Sequence, residues 1–297
     1  MRHVFVIESR TPIEPIRERL QQEAAFLESE GARLKMQADK LRFFYSLRCE
    51  LDFAATEYGI AESRVLGQQC VANALAEVLV EDWLRPTLGK LLTRHFESFS
   101  EAEQAAIIDR AVEKLNGVAG DTTWRQRRKC RVREALANYL ATTSEIHLDG
   151  FLSFRLRSYM QELEEALYHA IEQFLTEREY TEFVHLLRGF AQVIEPKQTL
   201  VHVLMSSPRE FEILDDRGQT LYADLIETVI MGETQEMVGY EDQLLSSLLT
   251  LSPRQIVLHA NTFRTQPDLR TTIEDVFGAR VRCCDGCDLC NHLASLT

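Results

Sequence analysis

The residues best suited to chemistry are the cysteines near the end of the sequence. Four of the seven cysteines lie between Cys283 and Cys290, in the run Cys-Cys-Asp-Gly-Cys-Asp-Leu-Cys. Glycine and aspartate favour a tight turn, which can direct several sulfur atoms toward one point. Cys284, Cys287 and Cys290 form successive pairs separated by two residues, and Cys283 or His292 can supply a fourth ligand. Thiolate and imidazole ligands in this pattern predict a tetrahedral zinc site.

The same thiols allow three further interpretations. An iron–sulfur cluster uses similar spacing, but the further cysteine followed by proline that is common in such proteins is missing here. A redox-active thiol pair and a run of free thiols with no cofactor also fit the sequence. Because the number of cysteines is odd and no secretory signal is visible, a disulfide framework is not expected.

A second unusual stretch is strongly basic. Its six cations are Arg125, Arg127, Arg128, Lys129, Arg131 and Arg133. Cations in the first turns of a helix oppose the helix dipole, so something anionic should offset them. One interpretation is a binding site for nucleic acid, phosphate or an acidic partner. The other, which a net charge of −13 favours, is pairing with the acidic helices of the same chain.

Motifs typical of catalysis are scarce. Glu182 and His185 match half of a di-iron helical motif, but a second copy is required and is not found. No glycine-rich phosphate loop, nucleophile elbow or His-Glu-x-x-His sequence occurs. The sequence therefore favours a protein without enzymatic activity.

Composition indicates an ordinary globular protein. Hydrophobic residues make up 45% and charged residues 27% of the 297 residues. No apolar run approaches the ~18 residues that a membrane-spanning helix needs. The first residues, Met1 to Glu8, are too short and become acidic too soon for a signal peptide. We therefore expect a cytoplasmic location.

The elements that must position these residues form an α+β arrangement. A small N-terminal α/β unit is expected over residues 1–58, a helical bundle over 59–196, and a C-terminal α/β domain with the cysteine-rich tail over 197–297. Two apolar stripes are predicted to be buried. One runs from Leu156 to Phe174, and the other runs from Tyr180 to Ile194 on a second helix or a kinked extension of the first. Ser100 and Glu103 predict a capping box.

Several segments resemble the YtxC family, whose members are linked to sporulation in endospore-forming bacteria. These segments are His147–Leu156, Glu177–Phe183, Leu186–Arg188, Val201–Val203, Glu241–Leu245, Leu251–His259 and the tail with Cys284, Gly286, Cys287 and Cys290. The resemblance implies a role in sporulation, but it supplies no catalytic residue. Together with the absence of catalytic motifs, it leads us to expect an interaction or regulatory protein with an unidentified protein partner.

Overall fold

The computed structural model describes residues 2–28, 31–53, 59–96, 98–117, 123–207, 210–221, 240–259, 266–287 and 290. This part of the chain is mainly helical and contains two four-stranded sheets, which confirms the predicted α+β class. The chain divides into two compact units, Met1–Leu175 and Thr176–Thr297.

The first unit combines one sheet with a group of helices. Its strands are β1 (Arg2–Ser9), β2 (Ala32–Lys40), β3 (Tyr45–Phe53) and β4 (Glu145–His147). Its helices are α1 (Glu14–Glu28), α2 (Ile60–Glu77), α3 (Leu84–His95), α4 (Glu101–Asn116), α5 (Thr123–Leu140) and α6 (Leu148–Arg155). Helix α7 (Arg157–Val193) begins in this unit and ends in the second.

The N-terminal elements follow one another in the order strand, helix, strand, strand. The strand order is β2-β3-β1-β4, with β3 antiparallel to both β1 and β2. The short strand β4 lies parallel to β1, with Val6 opposite Glu145. Strand β4 is not predictable from local pattern, because three residues are too few to show the two-residue period of a strand.

One hydrophobic core joins the sheet and the helices of the first unit. It includes Phe5 and Leu51 of the sheet, Leu75 of α2 and Leu163 of α7, none more than 3% exposed. Gly67 of α2 lies against the sheet, and a Cβ there would stand 3.4 Å from side-chain atoms of Leu51 and Phe5. The lack of a side chain at this position therefore permits close packing of helix on sheet.

Local signals in the sequence define helix α4. Ser100 Oγ accepts a hydrogen bond from the backbone N–H of Glu103, and the Glu103 carboxylate accepts one from the backbone N–H of Ser100. This is the predicted capping box, which satisfies amides that the first turn of a helix leaves free. Gly117 follows the helix with a φ of 73°, a conformation that glycine adopts without steric cost.

The prediction for the long apolar stripes is confirmed in its first half only. Leu156, Leu163 and Leu167 are buried, as expected. In the second half of α7, Val184 and Ala191 are buried, but Tyr180 is 41% and Phe183 45% exposed. The helix has apolar residues around much of its circumference there. The pattern alone therefore did not identify which of them would face the core.

The second unit has a mixed sheet with the strand order β6-β5-β7-β8. Its strands are β5 (Gln198–Ser207), β6 (Glu210–Leu214), β7 (Pro253–His259) and β8 (Val281–Cys284). Helix α8 (Tyr240–Leu251) precedes β7, and helix α9 (Pro267–Phe277) connects β7 to β8. Strands β5, β7 and β8 are mutually parallel, whereas β6 is antiparallel to β5.

Alternation along the strands gives this sheet two different faces. Val203 and Leu258 lie on one face and are fully buried in the core of the unit, together with residues of α8 and α9. Successive side chains of a strand point to opposite faces. His202, His259 and Cys284 therefore occupy the other face, which we call the histidine face.

Candidate metal centre

Three cysteines and one histidine meet where β7 and β8 end. His259 is the last residue of β7, Cys284 is the last residue of β8, and the two lie opposite each other in the parallel pair. Cys287 and Cys290 follow within the next six residues and return to the same point. The four ligand atoms all lie within 4.8 Å of one another.

Four of the six distances among these atoms are close to the edges of a tetrahedral site for one ion. The Cys290 sulfur lies 3.9 Å from that of Cys284 and 3.8 Å from that of Cys287. Nδ1 of His259 lies 3.2 Å from the Cys290 sulfur and 3.4 Å from the Cys287 sulfur. With zinc–sulfur bonds of ~2.3 Å and zinc–nitrogen bonds of ~2.0 Å, the corresponding tetrahedral edges are about 3.8 and 3.5 Å. The cluster could therefore hold a metal ion.

The turn after β8 orients the sulfurs of Cys284 and Cys287 toward each other. Gly286 has a φ of 136°, which side-chain-bearing residues rarely adopt. Its backbone N–H donates a hydrogen bond of 3.4 Å to the Cys284 sulfur. Such a bond stabilises negative charge on the sulfur, and the turn brings Cys287 back toward Cys284.

Protonation of the site follows from its crowding and burial. The Gly286 N–H lowers the pKa of the Cys284 thiol, but burial and the neighbouring thiols of Cys287 and Cys290 raise that pKa above its usual value. Burial lowers the pKa of His259, which is only 1% exposed, so its imidazole is neutral at physiological pH. Neutral imidazole is the form that binds metals, and a divalent cation would favour the thiolates.

The structure brings together three of the five ligands considered from the sequence, Cys284, Cys287 and Cys290. Cys283 lies on the opposite face of β8, where it packs against the core and its sulfur is 3.5 Å from a carboxylate oxygen of Glu274. Adjacent residues of a strand point in opposite directions, so Cys283 and Cys284 do not face the same point. His292 lies outside the described residues.

His259 is a candidate ligand that the cysteine spacing does not predict, because a lone histidine at the end of a strand matches no ligand motif. A signal was nevertheless present. His259 ends one strand of an α/β layer, and the cysteines follow the end of the next. The carboxyl ends of neighbouring parallel strands meet at one edge of a sheet, which is where such layers commonly bind ligands.

The basic stretch lies on helix α5 and pairs extensively within the chain. Arg125 contacts Glu81, and Lys129 contacts Glu77. The carboxylate of Glu162 in α7 forms ion pairs with both Arg128, at 2.9 Å, and Arg131. These contacts support the interpretation that the cations offset acidic helices of the same protein.

Individual cations of the stretch differ in their availability. The Arg128 side chain is 2% exposed, and its second guanidinium contact is the backbone carbonyl of Leu115 at 2.7 Å. Arg127 lies over the ring of Trp124, with 5.7 Å from its guanidinium carbon to the ring centroid. Arg133 is exposed on the same helix.

Within the described residues, no helix combines the length and apolar composition needed to cross a bilayer.

Comparison with known proteins identifies the family. The model of the YtxC-like family matches residues 69–282, a region that includes His202 and His259 and ends before Cys284. The uncharacterized protein YtxC of Bacillus subtilis (strain 168) is 25% identical over 187 residues, which cover 60% of this chain and 63% of that relative. The match thus spans less than two thirds of the relative's length. No solved structure gives a significant match. Because the family model covers well over half of the sequence, the chain belongs to the YtxC-like family.

Proposed function

We propose that the chain is a zinc-binding protein without enzymatic activity, and that the ion stabilises its C-terminal unit. The observation that carries this proposal is the mutual approach of the His259 nitrogen and the sulfurs of Cys284, Cys287 and Cys290 to within 4.8 Å. Three sulfurs and one imidazole are a typical ligand set of structural zinc.

Four protein ligands support a structural role for the ion. Catalytic zinc usually has three protein ligands and keeps a fourth position for water or substrate, whereas structural zinc is closed by four. An ion held by all four groups here would have no open position in a tetrahedral shell. The ion would instead fix the turn after β8 to the end of β7, so that binding contributes to folding.

The distances also favour a single ion over a four-iron cluster. In such a cluster each cysteine binds a different iron atom, so the sulfurs stand further apart than those sharing one ion. Here the sulfur of Cys290 lies 3.8 and 3.9 Å from its two neighbours, which suits one shared ion. An iron–sulfur cluster would instead give a coloured protein with several iron atoms for each chain.

Metal analysis of the purified protein tests this proposal. The chain is purified under reducing, anaerobic conditions, and bound metals are measured by plasma mass spectrometry. We expect one zinc ion per chain for the wild type and for the matched control Cys283→Ser, and none that resists dialysis for Cys287→Ser. Failure of the wild type to retain or take up zinc, or equal losses in the two variants, would overturn the proposal.

We further propose that the protein acts in sporulation as an interaction or regulatory protein of the cytoplasm. The resemblance to a family linked with sporulation supports this role. In an endospore-forming host that carries this chain in place of its own family member, Cys287→Ser should lower spore yield and Cys283→Ser should not. A normal spore yield in a strain without any family member would contradict the role.

A further inference from the structure

We propose that His202 is the positioning residue of the metal centre. By accepting a hydrogen bond from Nε2–H of His259, it holds the tautomer and orientation in which Nδ1 of His259 binds the ion. This inference rests on the proposed zinc site and adds an outer-sphere residue that lies more than fifty positions before the nearest ligand in sequence.

The two histidines are neighbours on the histidine face of the second sheet. His202 lies on β5, and the adjacent strand β7 carries Val257 opposite it and His259 two residues further along. Nδ1 of His202 is 3.1 Å from Nε2 of His259. The ring centroids are 5.3 Å apart, with an angle of 38° between the ring planes. This is hydrogen-bond geometry between in-plane nitrogens and not a stacked pair.

The position of His259 determines which atom donates. Its Nδ1 lies 3.2 and 3.4 Å from two of the sulfurs, so this is the nitrogen that would bind the ion. A ring nitrogen that binds a metal carries no proton, and the proton of neutral imidazole must then reside on Nε2. Nε2–H of His259 therefore donates, and Nδ1 of His202 accepts.

Burial makes an acceptor for the Nε2–H of His259 important. His259 is 1% exposed, so its Nε2–H cannot rely on bulk water for a partner. A buried donor without a partner carries a substantial energetic cost. Metal-binding histidines usually meet this need with a carboxylate, a backbone carbonyl or water, which also fixes the tautomer. Here a second imidazole fills that role.

A neutral acceptor also suits the charge of the site. A divalent ion with three thiolates and one neutral imidazole carries one net negative charge. A carboxylate in the place of His202 would add a second negative charge close to it. An imidazole orients His259 without that repulsion, so the side-chain chemistry at position 202 matches a thiolate-rich centre.

Two substitutions separate the hydrogen bond from simple packing. In His202→Asn, the amide oxygen can occupy the place of Nδ1 and still accept the bond. In His202→Leu, a branched side chain of similar shape fills that space without an acceptor. Zinc affinity is measured by competition with a chromophoric chelator, and far-UV circular dichroism of the zinc-saturated proteins checks their folding.

We expect His202→Leu to weaken zinc binding by ~10- to 100-fold, the range for lost outer-sphere partners. His202→Asn should recover most of the affinity. The cobalt-substituted His202→Leu protein should also show altered visible bands, because one ligand is no longer held in place. Zinc affinity of His202→Leu within two-fold of the wild type, or equal losses in both variants, would overturn the inference while leaving the zinc site intact.

A measurement on the wild type does not depend on how the variants fold. In the zinc-loaded protein, ring nitrogen-15 NMR signals should show His259 with a metal-bound Nδ1 and a protonated Nε2. A protonated Nδ1 would refute the role of His202. If the wild-type protein binds no zinc at all, the proposed function itself fails, which is a result distinct from unchanged affinity in His202→Leu.

Discussion

The buried ion pair between helices α5 and α7 allows a quantitative test of how the basic stretch is used. Arg128 has a side chain that is 2% exposed, and its Nε donates to Glu162 at 2.9 Å. We consider Glu162→Met, which removes the carboxylate but keeps a long side chain with good helix propensity. The substitution leaves the Arg128 cation in the core without its counter-charge.

The expected loss follows from the exposure of the two partners. Removing one member of a fully buried ion pair typically costs ~3–5 kcal/mol. The Glu162 side chain remains 27% exposed, so water already screens part of the interaction. We therefore expect a loss of ~2–4 kcal/mol in the free energy of unfolding. With a urea dependence of ~2 kcal/mol per molar, the unfolding midpoint of the first unit should fall by ~1–2 M.

Tryptophan fluorescence is the suitable assay, because both tryptophans of the chain, Trp83 and Trp124, lie in the first unit. The matched control is Glu165→Met, an exposed position one turn along α7, which should change stability by no more than ~0.5 kcal/mol. Equal midpoints for the Glu162 and Glu165 variants would refute the reasoning.

The reciprocal variant, Arg128→Met, should cost less than Glu162→Met. The carboxylate of Glu162 is partly exposed and keeps its contact with Arg131, whereas the guanidinium has no comparable access to water. The double variant should therefore be less destabilised than the sum of the two single variants, since no buried charge remains.

Any test of nucleic-acid binding should use Arg127 and Arg133, because Arg128 is too deeply buried to reach a phosphate.

Three further outcomes are expected. Gly286→Ala should lower stability by ~1–3 kcal/mol and weaken zinc binding in chelator competition, because the φ of 136° at Gly286 is strained for alanine. The control is Gly189→Ala, at a helical position with no atom near the added Cβ, and it should not weaken zinc binding. Tyr159→Phe removes a buried 2.8 Å hydrogen bond to the carbonyl of Leu79 and should lower stability in urea by ~1–3 kcal/mol, whereas Tyr168→Phe, at a 51% exposed position, should be neutral. Chelation of zinc should lower the thermal midpoint of the second unit, followed by circular dichroism, and leave the tryptophan transition unchanged.

Local chemistry made part of the fold predictable. Ser100 and Glu103 can satisfy the first amides of α4 only from the positions they hold, so their spacing identified the helix start. Pairing partners were less predictable. Strand β4 has three residues and joins β1 from more than 130 positions away, and its membership of the sheet depends on contacts that no local pattern records.

The second half of α7 illustrates a different limit. Phe183 and Val184 are both apolar and adjacent, yet Phe183 is 45% and Val184 8% exposed. A helical apolar stripe indicates burial only when the opposite side of the helix is polar. Here apolar residues extend around the helix. The identity of the buried side was therefore decided by the packing of the second unit and not by local periodicity.

The candidate metal centre shows how a shift of one residue along a strand changes which side chains come together. Cys283 and Cys284 are adjacent and chemically identical, but only Cys284 shares the histidine face with His259. Side chains alternate between the two faces along Val281, Arg282 and Cys283, and those of Val281 and Cys283 pack against the core. Extending that alternation by one residue assigns Cys284 to the opposite face. The candidate ligand set thus follows from the alternation of side chains along β8 and from the pairing of β7 with β8. Cysteine spacing alone does not distinguish Cys283 from Cys284.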